Sequence, residues 1–510
     1  MTTIASGYGR FGRRRSGGAV APVLAAGAIL AGLIAGQFVA SGRDAAVIAL
    51  GAVLLPVVLW KKPEVGPAVL VVAALSVEQF DHFGGAGPST EEVTARIPLF
   101  HGLGAFRLSP ADLLLFLLIA VCVARSGTGR TARLPRSELS IPLYCLFATV
   151  VLGVVWGISK GGDVRIALME ARPYVYLVST FVLASVLLTT RSAIRGVMWG
   201  LIVGIGFKSA QGLVTFLAVR NAVPRPEAVL GHEEAVFLSS FLLLTIALWL
   251  FEMRGPMRTT ATLLTPVVLM ADLANSRRAA WLVVAVGFVA LAGIGFAVLP
   301  TRRKFIARIV VCVALVLAAY LPAYWNHSGG LAQPARAVRS EVAPSPRDLS
   351  SDLYRIQEDA NLWFNIRAAG PFGAGFGIPI DYALPIVDLS ETNPFIKYVP
   401  HNGVLYILMR MGVPGAIVFW SMLGAAILSA VRLAKCHDRE FAVLGAFVAC
   451  VLVGYAFEGY VDQGFFFYRI AFVVGTLLGL VHAARRLDAE LEDGHRLGQV
   501  DRLIPRSART

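Results

Sequence analysis

Charge is scarce in this sequence. Asp, Glu, Lys and Arg together make up 15% of its 510 residues, whereas a water-soluble domain carries about 25%. A soluble globular chain of ordinary make-up is therefore excluded. Cysteine is scarce too: Cys122, Cys145, Cys312, Cys436 and Cys450 stand singly, mostly within apolar runs. That spacing offers neither a zinc site nor a disulfide framework. There is no P-loop and no Gly-x-Ser-x-Gly elbow. His82 and His101 stand far apart, and Glu91 and Glu92, as adjacent positions, point apart. These patterns lead us to expect no metal and no cofactor.

What is abundant is hydrocarbon. The chain is 56% hydrophobic with a mean hydropathy of +0.69. Apolar runs of about 20 residues recur along it, each able to cross a bilayer core of about 30 Å. They fall at about 19–40, 44–60, 65–78, 108–124, 140–158, 173–189, 195–219, 235–252, 259–275, 279–299, 305–323, 402–433, 441–457 and 465–483. A barrel would show alternating segments of about 10 residues, and none is present. The expected fold is an all-α polytopic membrane protein of about 12–14 transmembrane helices, with a large extracytoplasmic loop containing an amphipathic helix. The first run is too long for a signal-peptide core and reads as a retained helix. The expected organisation is a basic cytoplasmic N-terminus (1–18), N-terminal helices (19–160), central helices (161–323), the large loop (324–401), C-terminal helices (402–483) and a cytoplasmic tail (484–510).

The net charge of +14 does not mark a nucleic-acid protein, because the basic residues are spread over short loops. "GRFGRRRSGG", "WKKPE", "ARSGTGRTARLPRSE", "LPTRRKF" and "VRLAKCHDRE" all fall on one side of the membrane. The positive-inside rule makes that side cytoplasmic, with both termini inside and the long loops 79–107 and 324–401 outside. Within the larger loop, "LAQPARAVRSEVAPSPRD" reads as irregular. In "LSSDLYRIQEDANLWFNIRAAG", Leu353, Ile356, Ala360 and Trp363 recur at helical spacing, which predicts an amphipathic helix lying on the membrane or on the bundle. Gly370 and Pro371 end it, and "PFGAGFGIPI" follows as a flexible glycine-rich turn.

Arginines on the outer side run against the charge bias and need a reason. Arg277 and Arg278 sit in a tight outer turn, Arg172 at the lip of a span and Arg355 on the loop helix; Arg220 and Arg225 share one outer loop. Guanidinium forks bind phosphate oxygens bidentately and stay charged. His232, Glu233 and Glu234 lie at the outer end of a span near Arg225, and pairing with that arginine is expected before a role as base. Lys208 lies near the middle of a span, where an ammonium costs about 2.5–3.5 kcal/mol, so it should face the bundle interior. There it would meet a carboxylate such as Asp272, or the lipid carrier. Lys160, Asp163 and Arg165 read as ordinary loop charges.

His401-Asn402 is followed by nine residues and then Gly412-Val413-Pro414-Gly415. This pattern resembles the signature of the O-antigen ligase family, which shares a superfamily with Wzy-type O-antigen polymerases and en-bloc protein oligosaccharyltransferases. "SSDLYRIQEDANLWFNIRAAGPFGAGFG" resembles the stretch that precedes that signature, with its turn at Gly373 and Gly375. "NSRRAAWLVVAVGFVA" and "EARPYVYLVSTFVLA" resemble the family's arginine-tipped spans. The resemblance covers about residues 165–480. Ala416 stands where lipopolysaccharide ligases often carry threonine and tyrosine, so ligase and polymerase both remain open.

The resemblance implies a metal-independent membrane glycosyltransferase. It would transfer or polymerise a glycan from a polyprenyl-diphosphate donor onto an acceptor hydroxyl, with inversion, at the outer face of a bacterial inner membrane. Arg172, Arg277, Arg278 and Arg355 would hold the diphosphate. His401 would accept the hydroxyl proton or orient the acceptor, and Asn402 would position a sugar hydroxyl or fix the local turn. Arg225, Glu233, Glu234 and Lys208 are secondary candidates. Gly373, Gly375, Gly412 and Gly415 are structural, with Gly412 and Gly415 letting helices approach closely. The implied partners are the lipid-linked glycan, a glycan, lipid or protein acceptor, membrane lipids and proteins of polysaccharide assembly, with no nucleic acid. The competing class is a transporter or flippase for lipid-linked sugars, which would centre on Lys208.

Overall fold

The computed structural model describes residues 55–77, 109–126, 134–221, 228–327, 329–387 and 395–503. The expected span 19–40, most of 44–60, the loop 79–107 with its two histidines and Glu91–Glu92, and Arg225 lie outside the described residues.

The described residues form helices and no strand. In chain order these are α1 (Gly66–Ser76), α2 (Pro110–Ser126), α3 (Ser140–Ser159), α4 (Val164–Leu187), α5 (Arg191–Val219), α6 (Glu234–Leu250) and α7 (Pro256–Asn275). They continue as α8 (Arg278–Val298), α9 (Arg303–Tyr324), α10 (Gln333–Val342), α11 (Pro346–Ala369), α12 (Gly403–Leu433), α13 (Arg439–Val461) and α14 (Tyr468–Leu503). Among the described residues, eight helices are long and apolar enough to cross a membrane. The chain is an all-α polytopic membrane protein.

Side-chain caps set several helix starts. Asp163 accepts the Ile166 N–H ahead of α4, Thr190 the Ala193 N–H ahead of α5, and Asp438 two N–H groups ahead of α13. Each satisfies donors that the first helical turn leaves free. Inside α4, Pro173 cannot donate to the Met169 carbonyl, and the Tyr468 hydroxyl donates there instead at 3.2 Å. The helix thus tolerates its proline because α14 supplies the missing donor.

Burial sorts the spans into layers. In α13 and α14 78% of the apolar window is buried, against 6% in α9, which turns Val311, Leu315 and Val316 outward. Such a face is stable only against hydrocarbon. α4 lies directly along α14, where a Cβ at Gly475 or Gly479 would run into the α4 backbone at Leu177 or Phe181. This Gly-x-x-x-Gly pair allows the close approach that dispersion needs when lipid offers no hydrophobic drive.

One end of the bundle is tied by ion pairs: Arg191 with Asp438, Arg195 with Glu440, and Arg432 and Arg485 with Glu138. The large loop packs at the opposite end. Two expectations for that loop change. The segment read as irregular contains α10, a helix over Gln333–Val342. The glycine-rich turn is not a free hinge but an anchored structural piece.

Candidate active site

The anchor begins with a break in α12. Gly412 has φ 64° and ψ −168°, and Pro414 has no N–H to give the Arg410 carbonyl. Val413 turns its N–H to the Pro371 carbonyl at 2.8 Å instead of continuing the ladder. The carbonyls of Met409 and Arg410 are left without helical donors. The Ala374 and Gly375 N–H groups fill them at 2.7 and 3.1 Å. The turn and the broken helix therefore complete each other's backbone hydrogen bonds. Gly373 and Gly375 have φ of +77° and +86°, and a Cβ on Gly373 would lie 2.6 Å from the Gly412 nitrogen. Gly415 packs against Met411 and Thr149.

Arg410, fully buried, locks this junction. It pairs with Glu170 of α4 at 2.7 Å and donates to the carbonyls of Gly375, Ile378 and Tyr398. Glu170 also accepts from the Gly377 N–H at 2.6 Å and the Tyr406 hydroxyl at 3.2 Å. A buried pair holds only when its remaining hydrogen-bonding capacity is met in this way. Through Tyr398 the lock reaches to within three residues of His401.

α11 starts at a capping box formed by Ser345 and Asp348. Its buried face is polar. Asn361 clasps both backbone groups of Leu384, and Asn365 those of Asp381, at 2.7–3.0 Å. Glu358, on the same side, is 3% exposed. The apolar stripe faces out, with Leu353 57% and Ile356 64% exposed. The amphipathic helix is present, but its apolar side does not pack on the bundle.

Glu358 positions His401. Its carboxylate lies 3.2 Å from His401 Nδ1 and accepts the His401 backbone N–H at 2.9 Å. The Tyr354 ring stands edge-on to the imidazole at 5.7 Å. A carboxylate on Nδ1 favours the tautomer with a proton there, which leaves the Nε2 lone pair to accept. Burial alone would lower the imidazole pKa, but the hydrogen bond and charge of Glu358, with Asp462 beyond, outweigh it and raise it. Asn402 caps α12, accepting from the Val404 and Leu405 N–H groups and donating to Asp359. Burial raises the Asp359 pKa despite that bond.

Further acidic groups stand behind the histidine. Asp462, just past α13, pairs with His232 at 3.0 Å. Its burial is outweighed by His232 and by the charge of His401, so its carboxyl is held well below the usual range. Glu458, one turn earlier on α13, is acted on by the charges of Arg355, Arg277, Asp462 and Glu233. The charge of Arg355 bears on both His401 and Glu458, and that of Arg277 on Glu458.

The other candidates divide. Arg278 pairs with Asp348 at 3.0 Å, tying the α7–α8 turn to the start of α11. Both side chains are partly exposed, so Arg278→Ala is expected to lower stability by under about 1 kcal/mol, read from thermal unfolding in detergent. Arg172 lies 3.8 Å from Asp112 and over the Tyr468 ring. Glu234 and Glu233 pair with Arg469 of α14, at 2.5 and 3.7 Å. Lys208 does face the interior, where its carboxylate partner is Glu234 at 3.7 Å. Glu234 keeps its Arg469 fork without Lys208. Lys208→Met is therefore expected to cost about 1 kcal/mol and to leave glycan transfer intact, whereas a transporter centred on Lys208 would lose function.

Sequence reasoning missed Glu358, Asp462, Glu458, Arg410 and Arg469. One signal was available for the first: Glu358 follows Arg355 by three positions, and so shares a helix face with it. Arg410 and Arg469 lie inside apolar runs, where a lone arginine must find a buried anion.

No curated protein matches the chain. Residues 241–420 match the family model described as O-antigen ligase. The match takes in Arg277, Arg278, Arg355, the glycine turn, His401 and the broken start of α12, so it is this region that is similar to the O-antigen ligase family.

Proposed function

We propose that the protein transfers a glycan from a polyprenyl-diphosphate donor to an acceptor hydroxyl at the outer face of a bacterial inner membrane. The observation that carries this reading is the Glu358 carboxylate on His401 Nδ1, which leaves Nε2 to accept a proton; the charge of Arg355 bears on His401, and those of Arg355 and Arg277 on the nearby Glu458. His401 Nε2 takes the proton of the acceptor hydroxyl as its oxygen attacks the anomeric carbon. The bond from that carbon to the diphosphate breaks, and the electron pair leaves with the lipid diphosphate. Arg277 and Arg355 stabilise the charge that grows on the leaving group. The leaving group is already activated, so no nucleotide enters the step. Arg278 and Arg172 support the site from their carboxylate partners.

The test is transfer in vesicles holding the purified chain and lipid-linked glycan, with no nucleotide added. Arg277→Ala and Arg355→Ala each remove a charge-assisted contact of about 1.5–3 kcal/mol, so donor kcat/KM should fall about 10- to 150-fold. Unchanged kcat/KM in both variants would remove the diphosphate assignment.

A further inference from the structure

Glu458 sits in the last turn of α13 and is 1% exposed, yet neither carboxylate oxygen has a hydrogen-bond partner among the described residues. The neighbouring acids are all engaged: Glu358 by His401, Asp462 by His232 and Glu234 by Arg469. A buried acceptor left without a donor is costly, and where it persists in a native structure it usually awaits a ligand or water. Asp272 is also buried with both carboxylate oxygens unbonded, but burial alone acts on it. Charged groups of the candidate site bear on Glu458 instead: Asp462, Arg355, Arg277 and Glu233. Gly464 lies close against the Glu458 side chain, since a Cβ there would stand 2.8 Å from Glu458 Cγ.

The charges say what the oxygens would accept. A phosphate is repelled by Glu458, Asp462 and Glu233 and drawn to Arg277 and Arg355. A neutral polyol has hydroxyl donors and no such repulsion. A carboxylate can accept from two neighbouring hydroxyls at once. We propose that Glu458 is a glycan-binding residue whose carboxylate accepts hydrogen bonds from hydroxyl groups of the transferred sugar. This rests on the transferase reading and deepens it. The arginines take the diphosphate, Glu458 takes the sugar, and the anomeric carbon is fixed between them, within reach of the acceptor that His401 serves.

The experiment measures binding to the purified full-length chain in nanodiscs with three probes: bare polyprenyl diphosphate, the same lipid carrying its glycan, and the free glycan released from it. Glu458→Leu removes the carboxylate at similar volume, and Glu458→Gln keeps one carbonyl acceptor. Glu458→Leu should bind the glycan-bearing lipid and the free glycan at least tenfold more weakly and bare polyprenyl diphosphate within twofold of the parent. Glu458→Gln should fall between. The thermal midpoint of Glu458→Leu should equal or exceed the parent's, since an unpartnered buried acid is gone. Parent-like glycan binding in Glu458→Leu, or equal weakening on bare and glycosylated lipid, overturns the proposal. If the parent ignores bare polyprenyl diphosphate, the diphosphate reading fails instead, and the free-glycan arm still decides the role of Glu458.

Discussion

His401→Ala is expected to lower the turnover number for nucleotide-independent glycan transfer by about 10²–10⁴-fold, the range that general base catalysis supplies. The substitution leaves the backbone N–H of residue 401 on Glu358 and leaves the Asn402 cap of α12 in place. The protein should therefore elute and melt as the parent does, so that lost turnover reports chemistry. Glu358→Gln gives the sharper reading. In the parent, Glu358 raises the His401 pKa against the effect of burial. A base works when unprotonated, so activity falls as pH drops through that pKa. Glutamine removes the anion that favours imidazolium, and the acid limb of the pH–rate profile should move to lower pH. An unmoved limb, with His401→Ala still active, would make the histidine a helix-entrance feature and leave the base elsewhere.

How far the sequence showed this site depends on what apolar periodicity can report. It reports that a face avoids water. It does not say whether lipid or protein covers that face, because both are apolar to a helix. The helices of the bundle were legible for that reason, and the direction of α11 was not. Its Leu353–Ile356 stripe faces outward while Glu358, Asn361 and Asn365 pack inward, because the inward neighbours are bare backbone groups of residues 381–384 that need donors and acceptors. The His401 and Gly412–Gly415 spacing was visible because it is local. The partners that give it meaning are remote: Tyr406 and Glu170, for example, meet across 236 positions. The glycine-rich turn looked flexible because glycine permits many conformations. It is rigid because the carbonyls freed by Pro414 and Gly412 hold one of them.

That rigidity makes Arg410 the residue whose loss should cost the most stability. Arg410→Met removes the ion pair from Glu170 and the donors from the carbonyls of Gly375, Ile378 and Tyr398. Breaking a buried pair by removing one partner costs about 3–5 kcal/mol, because the other charge is left in a medium that cannot solvate it. The expected result is a fall of that size in unfolding free energy, measured by denaturant titration in mixed micelles. Glu170→Gln should cost less, since the amide oxygen still accepts from Gly377 or Tyr406. In the double variant Glu170→Met/Arg410→Met no charge is stranded, so its loss should be smaller than the sum of the single losses. It should not return to the parent value, because three carbonyls still lack the guanidinium. Activity should follow the carbonyls more than the charge. Tyr398 lies three residues before His401, and a loosened Tyr398 carbonyl lets the imidazole drift from the acceptor even in molecules that remain folded. If Arg410→Met unfolds within about 1 kcal/mol of the parent, the pair is not what holds the loop. The backbone exchange between Pro371–Gly375 and the broken helix would then carry the anchoring alone.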